Sequence, residues 1–293
     1  MIFAGVLGYV LITCWIFQEE IFFGKSSIGP EDSRNMFFNN NPKYLVWISS
    51  IVIQPVIWAV LLFPVTAIII KLKEELKPEM NLLPSFILLL TSFVIFILIT
   101  YLTFEKYFVR PESMIVDHLL KFRTITTIGQ IVGLYYLFGA VLISKVCMKN
   151  ISDKNYSISN YRRLRSYLDA IINFTGIIFS LGVIASILQS KALNDENKFP
   201  AEFIISFGMM NSLIILLVFL PAHFILLYYG RQILENKYTI KDSNSEAEIE
   251  LLNKQNEVSK NLNLSLGLTQ TFKTALVILS PVISSLIPKL FDI

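Results

Sequence analysis

The chain has 293 residues, of which 54% are apolar or aromatic and 16% are charged, and its net charge is +3. Average soluble domains carry about 25% charged residues, and a soluble chain this apolar has too little polar surface to cover its core. The composition excludes an ordinary soluble domain and indicates a protein of the lipid bilayer. The basic residues lie in short loops without interleaved aromatic residues, which argues against nucleic acid as a partner.

Long uncharged stretches predict six membrane-spanning helices. A hydrocarbon core about 30 Å thick requires about 20 residues of helix, and only the first stretch falls short of that length. This first stretch has no basic region before it and no cleavage pattern after it, so we predict a retained helix rather than a signal peptide. The predicted spans are 1–17, 44–70, 82–104, 124–148, 168–190 and 203–230.

Three segments outside the spans have predicted structure of their own. Residues 109–123 place apolar side chains at helical spacing, which predicts an amphipathic helix in the headgroup layer. The linker 231–272 contains Ser245-x-x-Glu248, a capping box that opens a short helix. The segment 273–293 holds a short apolar run, for which we favour a helix buried against the bundle over a seventh crossing. The predicted fold is an all-α integral membrane protein, a polytopic bundle of about six transmembrane helices over 1–230 with these additions.

The distribution of lysine and arginine predicts the orientation. Loops on one side carry twelve of these residues and loops on the other side carry nine, and the richer side is expected to face the cytoplasm. The N-terminus and the linker 231–272 are then cytoplasmic, in a plasma or inner membrane. The richer side owes its excess to a basic cytoplasmic patch formed by Arg162, Arg163 and Arg165.

A polar stripe in the fifth span is the first candidate site. Asp169 and Asn173 lie one turn apart, and Gly176 and Ser180 continue the same face. Because polar groups are expensive in hydrocarbon, such a stripe can line a path for a solute or a proton. The alternative is structural: Asp169 caps the helix or pairs with Arg165, while Gly176 and Ser180 allow close helix packing.

Further polar residues inside the spans are candidates for the same membrane seam. Each can contact a solute, or can form an inter-helix hydrogen bond that is purely structural. A kink is expected in the second span, where Pro55 and Pro64 remove backbone donors. Gly129-x-x-x-Gly133 in the fourth span predicts close helix packing, within the chain or by self-association. The additional seam candidates are Gln54, Gln130, Asn211 and His223.

The sequence contains no recognisable catalytic constellation. Its two histidines are too few for a histidine-rich metal cluster, and it has no His-Glu-x-x-His, G-x-S-x-G or Walker A pattern. Its two cysteines both lie in apolar runs and predict no disulfide. We therefore predict no catalytic residue, no metal site and no cofactor.

These observations favour a non-enzymatic, multi-pass membrane protein. The first hypothesis is an ion or small-solute channel or pore, self-associating in the bilayer, or a protein that perturbs the membrane when triggered. The alternative is a membrane-embedded partner subunit or receptor that recruits a soluble cytoplasmic protein through the basic patch and the linker. An enzyme acting on a lipid or a quinone is the third reading.

Overall fold

The computed structural model describes residues 42–76, 116–192, 201–238, 246–262, 264 and 268–290, with single positions at 87, 91 and 94. Within these ranges the regular structure is entirely α-helical. The predicted span 1–17 lies outside the described residues. Within the predicted span 82–104 only the three single positions are described, and all three are helical.

Six helices make up the described part of the chain, and four of them, α1 to α4, are long and apolar enough to cross a membrane. They confirm the helices predicted at 44–70, 124–148, 168–190 and 203–230, and each extends beyond its predicted span at one or both ends. The helices are α1 (Pro42–Glu75), α2 (Val116–Ser152), α3 (Ile158–Ala192), α4 (Ala201–Lys237), α5 (Glu246–Asn261) and α6 (Leu268–Leu290).

Helix α1 is continuous through Pro55 and Pro64, and the kink expected there stays a prediction. One local expectation differs from the structure. The described part of the predicted amphipathic helix 109–123, from residue 116 onward, is not a separate element but the first turns of α2. The physical reason is the sequence 116–127, which contains neither glycine nor proline and so lets the helical hydrogen bonds run on.

Helices α1 and α2 are parallel neighbours, although they follow one another in the described chain. Near the middle of α1 and in the first half of α2, Trp58 lies against Gly129. Farther along, the Thr66 and Tyr135 hydroxyls are 3.0 Å apart and share a hydrogen bond. At the far end, the Lys149 ammonium donates to the backbone carbonyl of Glu75. The contacts advance together along both helices, which is the signature of parallel packing.

The remaining helices alternate in direction around this pair. A five-residue turn, 153–157, joins α2 to α3 as an antiparallel hairpin, with Lys154 in the left-handed region at φ 53°. Helix α4 packs against both α2 and α3 and runs antiparallel to α3. Near its C-terminal end, the Tyr229 hydroxyl donates to the carbonyl of Asn155 in the turn (2.8 Å). One end of the bundle thus gathers the C-terminal ends of α1, α2 and α4 and the N-terminal end of α3. We call it the charged end, and the other end the opposite end.

Helix α6 packs lengthwise along α3 and α4. Its Val277 lies against Gly176 of α3, and its Pro281 and Ser285 lie against Gly208 near the start of α4. It therefore runs parallel to α3 and antiparallel to α4, along the apolar part of both. The predicted packing of this segment against the bundle agrees with these contacts. At 23 residues, α6 is about 34 Å long.

Helix α5 projects from the charged end and touches the bundle little along its own length. It starts at Glu246, in agreement with the predicted capping box, whose Ser245 lies outside the described residues. Its solvent-exposed Lys254 and Glu250 form an ion pair of 2.6 Å, and the hydrogen bond from Lys254 lowers the pKa of the Glu250 carboxyl. After α5 the chain is fixed again by Leu262 and Leu264, both buried.

Candidate functional site

The four long helices enclose a cavity in the half of the bundle nearer the opposite end. The space within it that a water-sized group can occupy is about 40 Å³. Three carboxamide side chains from three different helices meet there: Gln54 of α1, Gln130 of α2 and Asn211 of α4. Gln54 and Asn211 are buried. We call this space the amide cavity; it unites three of the polar residues that the sequence singled out one by one.

Aromatic rings form much of the remaining wall, namely Trp58, Phe179 and Phe207. Two of these rings lie in places that a glycine of α2 leaves open. A Cβ at Gly129 would stand 2.6 Å from the Trp58 indole, and one at Gly133 would stand 2.5 Å from the Phe179 ring. The Gly129-x-x-x-Gly133 pair thus packs against α1 and α3 of its own chain. The predicted close packing is intramolecular at these two positions, and self-association stays a prediction.

The described lining of the cavity contains no ionisable side chain. Its members besides the three amides and the three aromatic residues are Ile51, Gly129, Ile178, Gly182 and Ala185. Amide groups both donate and accept hydrogen bonds, whereas a charged solute in such a setting would lose its hydration without gaining a counter-charge. The lining is therefore suited to an uncharged, hydrogen-bonding guest.

A fully packed layer separates the amide cavity from the charged end. Tyr136 lies on the side of the cavity that faces the charged end and has no exposed surface. Its hydroxyl donates to the backbone carbonyl of Trp58 (3.1 Å). Ile215 of α4 and Thr175 of α3 are buried at a similar depth. Below them the core continues through Leu142, Ile143 and Val146. The cavity is closed on this side.

The predicted polar stripe of α3 lies elsewhere. Asn173, Gly176 and Ser180 line a groove between α3 and α6 at the outside of the bundle. Within it the Ser180 and Ser280 hydroxyls are hydrogen-bonded at 3.0 Å, and Ser280 also donates to the Val277 carbonyl. Gly176 lies under Val277. These contacts place Gly176 and Ser180 where α3 packs against α6, and the predicted solute path along the stripe stays a prediction.

Asp169 and His223 do not join the amide cavity. Asp169 is half-buried on α3, two turns beyond Tyr161. The His223 ring is half-buried and stacks on Phe219, with centroids 5.3 Å apart. Both residues lie nearer the charged end than the three amides do.

The predicted basic patch is divided by the structure. Arg162 is exposed. Arg163 forms an ion pair with Glu75 at 2.8 Å, and Arg165 donates to the Tyr161 hydroxyl (3.0 Å) and to the Leu262 carbonyl (3.1 Å). Two of the three cations therefore hold parts of this chain together at the charged end.

Sequence reasoning did not find the aromatic wall or Gly182. Trp58, Phe179 and Phe207 look like ordinary apolar residues of a membrane helix when each is seen alone. The available signal was the spacing of Gly129 and Gly133, because a glycine inside an apolar helix leaves room for a large neighbour. Which neighbour fills the room depends on tertiary contacts.

In the described ranges, no three His, Cys, Asp or Glu side chains are grouped so as to hold a metal ion. Comparison with known proteins adds no relative: no family model matches the chain, and no curated protein and no solved structure matches it. The case for a function thus rests on the bundle and its cavity.

Proposed function

We propose that this chain is a non-enzymatic, multi-pass membrane protein that conducts a small solute, with the amide cavity as the entrance of the pathway. The observation that carries the proposal is the convergence of Gln54, Gln130 and Asn211 from three helices on one cavity. The packed layer around Tyr136 is the closed gate of that pathway in this conformation.

The outward surface of the bundle supports its place in a membrane. Soluble proteins rarely expose contiguous apolar patches larger than a few hundred Å². Here α1 and α4 are apolar on the face that packs and also on the face that does not, which is typical of helices surrounded by lipid. The exposed large side chains include Val46, Ile53, Val56, Val60, Phe63 and Ile70 on α1, and Met209, Leu213, Leu216, Leu217, Leu220 and Phe224 on α4.

The parallel packing of α1 and α2 supports the six-span arrangement. The chain leaves α1 at the charged end and must enter the apolar part of α2 from the opposite end. A crossing between them, at the predicted span 82–104, satisfies this requirement. The apolar stretch of α6, Thr274–Leu286, is shorter than those of the four long helices, and we expected it to pack against the bundle without crossing. We nevertheless propose a seventh crossing, because this stretch lies against Gly176 of α3 and Gly208 of α4.

This topology places α5 and the end of α6 on different sides of the membrane. Single cysteines at Lys260 and at Lys289, in a background with Cys14 and Cys147 replaced by serine, test it. In sealed vesicles of one orientation, a membrane-impermeant maleimide is expected to label one of the two positions and to reach the other only after permeabilisation. Equal labelling of both before permeabilisation would show that α6 does not cross.

Solute flux tests the conduction itself. Purified protein in liposomes should raise the permeability to at least one member of a panel of small ions and neutral solutes, measured by stopped-flow light scattering and by ion-sensitive dyes. Asn211→Leu, which keeps the size and removes the amide, is expected to lower that flux about tenfold, the equivalent of one lost hydrogen bond of about 1.4 kcal/mol. Asn173→Leu, in the α3–α6 groove, is the matched control and should leave it unchanged.

Vesicles as tight as protein-free ones for every solute would instead favour the partner-subunit reading. The observation behind that reading is α5, where Ile249 and Leu252 are 60% and 43% exposed on an otherwise polar helix. Replacing both by glutamine should then remove a co-purifying cytoplasmic protein, whereas Asn211→Leu should not.

A further inference from the structure

We infer that the amide cavity is a binding site for a small cluster of water molecules, and that the solutes it admits are uncharged, hydrogen-bonding molecules of water's size, namely water itself and ammonia. The water site follows from the geometry of the cavity alone. The selection among solutes rests on the proposed function, because it concerns what passes through the cavity.

The size of the guest follows from the volume of the cavity. A water-sized group can occupy about 40 Å³ of it. One buried water requires at least about 10–15 Å³ of such space, so the cavity holds a cluster of about two or three waters. A polyol such as glycerol, which carries many more heavy atoms in one molecule, does not fit unless the helices separate.

The need for water follows from the three amides. Gln54 and Asn211 are only 4% and 3% exposed, and both line the cavity together with Gln130. Among the residues that the structure describes, none forms a hydrogen bond with any of these three side-chain amides. A buried amide without a partner destabilises a fold, and ordered water is the usual partner where the protein supplies none.

The three amides also suffice to hold such a cluster. Each carboxamide presents a carbonyl group that accepts hydrogen bonds and an NH₂ group that donates them. A buried water typically forms about three hydrogen bonds. Amides from three different helices, together with the bonds between the waters, provide these partners. The rest of the wall is apolar, with the Trp58 and Phe179 rings among its members, so the cluster stays at the amides.

The charge of an admitted solute follows from the lining. The described residues that line the cavity include no ionisable side chain, and the packed layer at Tyr136 lies between the cavity and the cations of the charged end. An ammonium ion would lose its hydration there without gaining a counter-charge. The neutral ammonia molecule has the size of water and both donates and accepts hydrogen bonds, so the cavity suits it.

Hydroxyl-radical footprinting with an X-ray beam tests the water site in the full-length protein in nanodiscs. Radiolysis of a bound water produces the radical in place, and mass spectrometry detects the oxidation of the side chains beside it. Phe179 and Phe219 form a matched pair, because both are 4% exposed and only Phe179 lines the cavity. We expect Phe179 to be oxidised and Phe219 to stay unmodified. Equal oxidation of the two rings would overturn the water site.

Two variants connect the oxidation of Phe179 to the cavity. Asn211→Leu removes a hydrogen-bond partner of the waters and should reduce the oxidation to the level of Phe219. A Cβ at Gly182 meets no atom within 4 Å, so Gly182→Val fills open space in the cavity and should have the same effect. Ser180→Ala, in the α3–α6 groove, is the control and should change nothing. Oxidation of Phe179 that neither variant lowers would contradict the inference; if Gly182→Val does not fold, Asn211→Leu decides.

Solute flux into liposomes tests the selection and separates it from the water site. Stopped-flow light scattering should show a raised permeability to water but not to glycerol, and a pH-sensitive dye inside the vesicles should report entry of ammonia. Glycerol flux that Asn211→Leu lowers would overturn the selection by size. Oxidation of Phe179 that depends on Asn211, in vesicles that conduct neither water nor ammonia, would sustain the water site and remove the channel.

Discussion

Gly208→Ala is expected to destabilise the protein strongly, whereas Gly182→Ala should leave it as stable or make it slightly more so. A Cβ at Gly208 would stand 2.6 Å from the carbonyl oxygen of Pro281 and 2.9 Å from the Cβ of Ser285. The first atom is part of the α6 backbone and the second is bonded directly to it. The clash can therefore be relieved only if α6 moves as a whole. Overpacking of this kind costs about 1–3 kcal/mol. At Gly182 nothing opposes the added methyl group, and alanine favours a helix over glycine by up to about 1 kcal/mol.

Thermal unfolding followed with a thiol-reactive dye measures this difference. Cys147 is fully buried and reacts only when the bundle opens, so a Cys14→Ser background reports on it alone. The melting temperature should fall for Gly208→Ala and hold or rise for Gly182→Ala. Equal melting temperatures for the two variants would contradict the close packing of α6 on α4.

Arg165→Met is expected to release the segment that follows α5. The guanidinium group holds the Leu262 carbonyl and the Tyr161 hydroxyl together, and Leu264 packs beside them against Gly230. Methionine keeps the apolar stem of the side chain and removes both hydrogen bonds. A buried carbonyl left without a donor costs about 1–3 kcal/mol, which corresponds to roughly a 5- to 150-fold shift in the local opening equilibrium.

Limited trypsin digestion detects that opening, because Lys254 and Lys260 lie in α5 next to the released segment. When the opened segment recloses faster than trypsin cuts it, the cleavage rate follows the local opening equilibrium. Cleavage at these lysines should then be faster in Arg165→Met than in the unmodified protein by the same factor as the shift in that equilibrium. Arg162→Met is the matched control: Arg162 is the exposed neighbour one turn earlier, and exposed substitutions usually change stability by less than about 0.5 kcal/mol. Identical digestion of the two variants would show that Arg165 does not anchor the segment.

The helices themselves were predictable because their signal is local. An uncharged run of about 20 residues predicts a long apolar helix wherever it occurs, and Ser245-x-x-Glu248 predicted the beginning of α5 in the same way. The predicted positions of the helix ends were less accurate. Residues 116–123 are polar on one side and apolar on the other, a pattern equally compatible with a separate surface helix and with a continuation of α2.

The site was only partly predictable because it depends on which helices become neighbours. Gln54, Gln130 and Asn211 were each recognised as polar residues within apolar spans. Asp169 and Asn173 were the more conspicuous candidates, since two polar residues one turn apart form a visible pattern on one helix. Three single amides on three helices form no pattern until the helices are packed, and neither do the aromatic rings between them.

The order in which these helices can assemble is a consequence of the parallel α1–α2 pair. The bond from Tyr136 to Trp58 joins residues 78 positions apart, and that between Ser180 and Ser280 joins residues 100 apart. The α2–α3 hairpin needs only the five residues 153–157 to form. During synthesis α1 is therefore made before the α2–α3 hairpin on which it packs, and α6 is the last of the described helices to join the bundle. Among the described helices, α1 waits longest for the contacts that bury its apolar side chains.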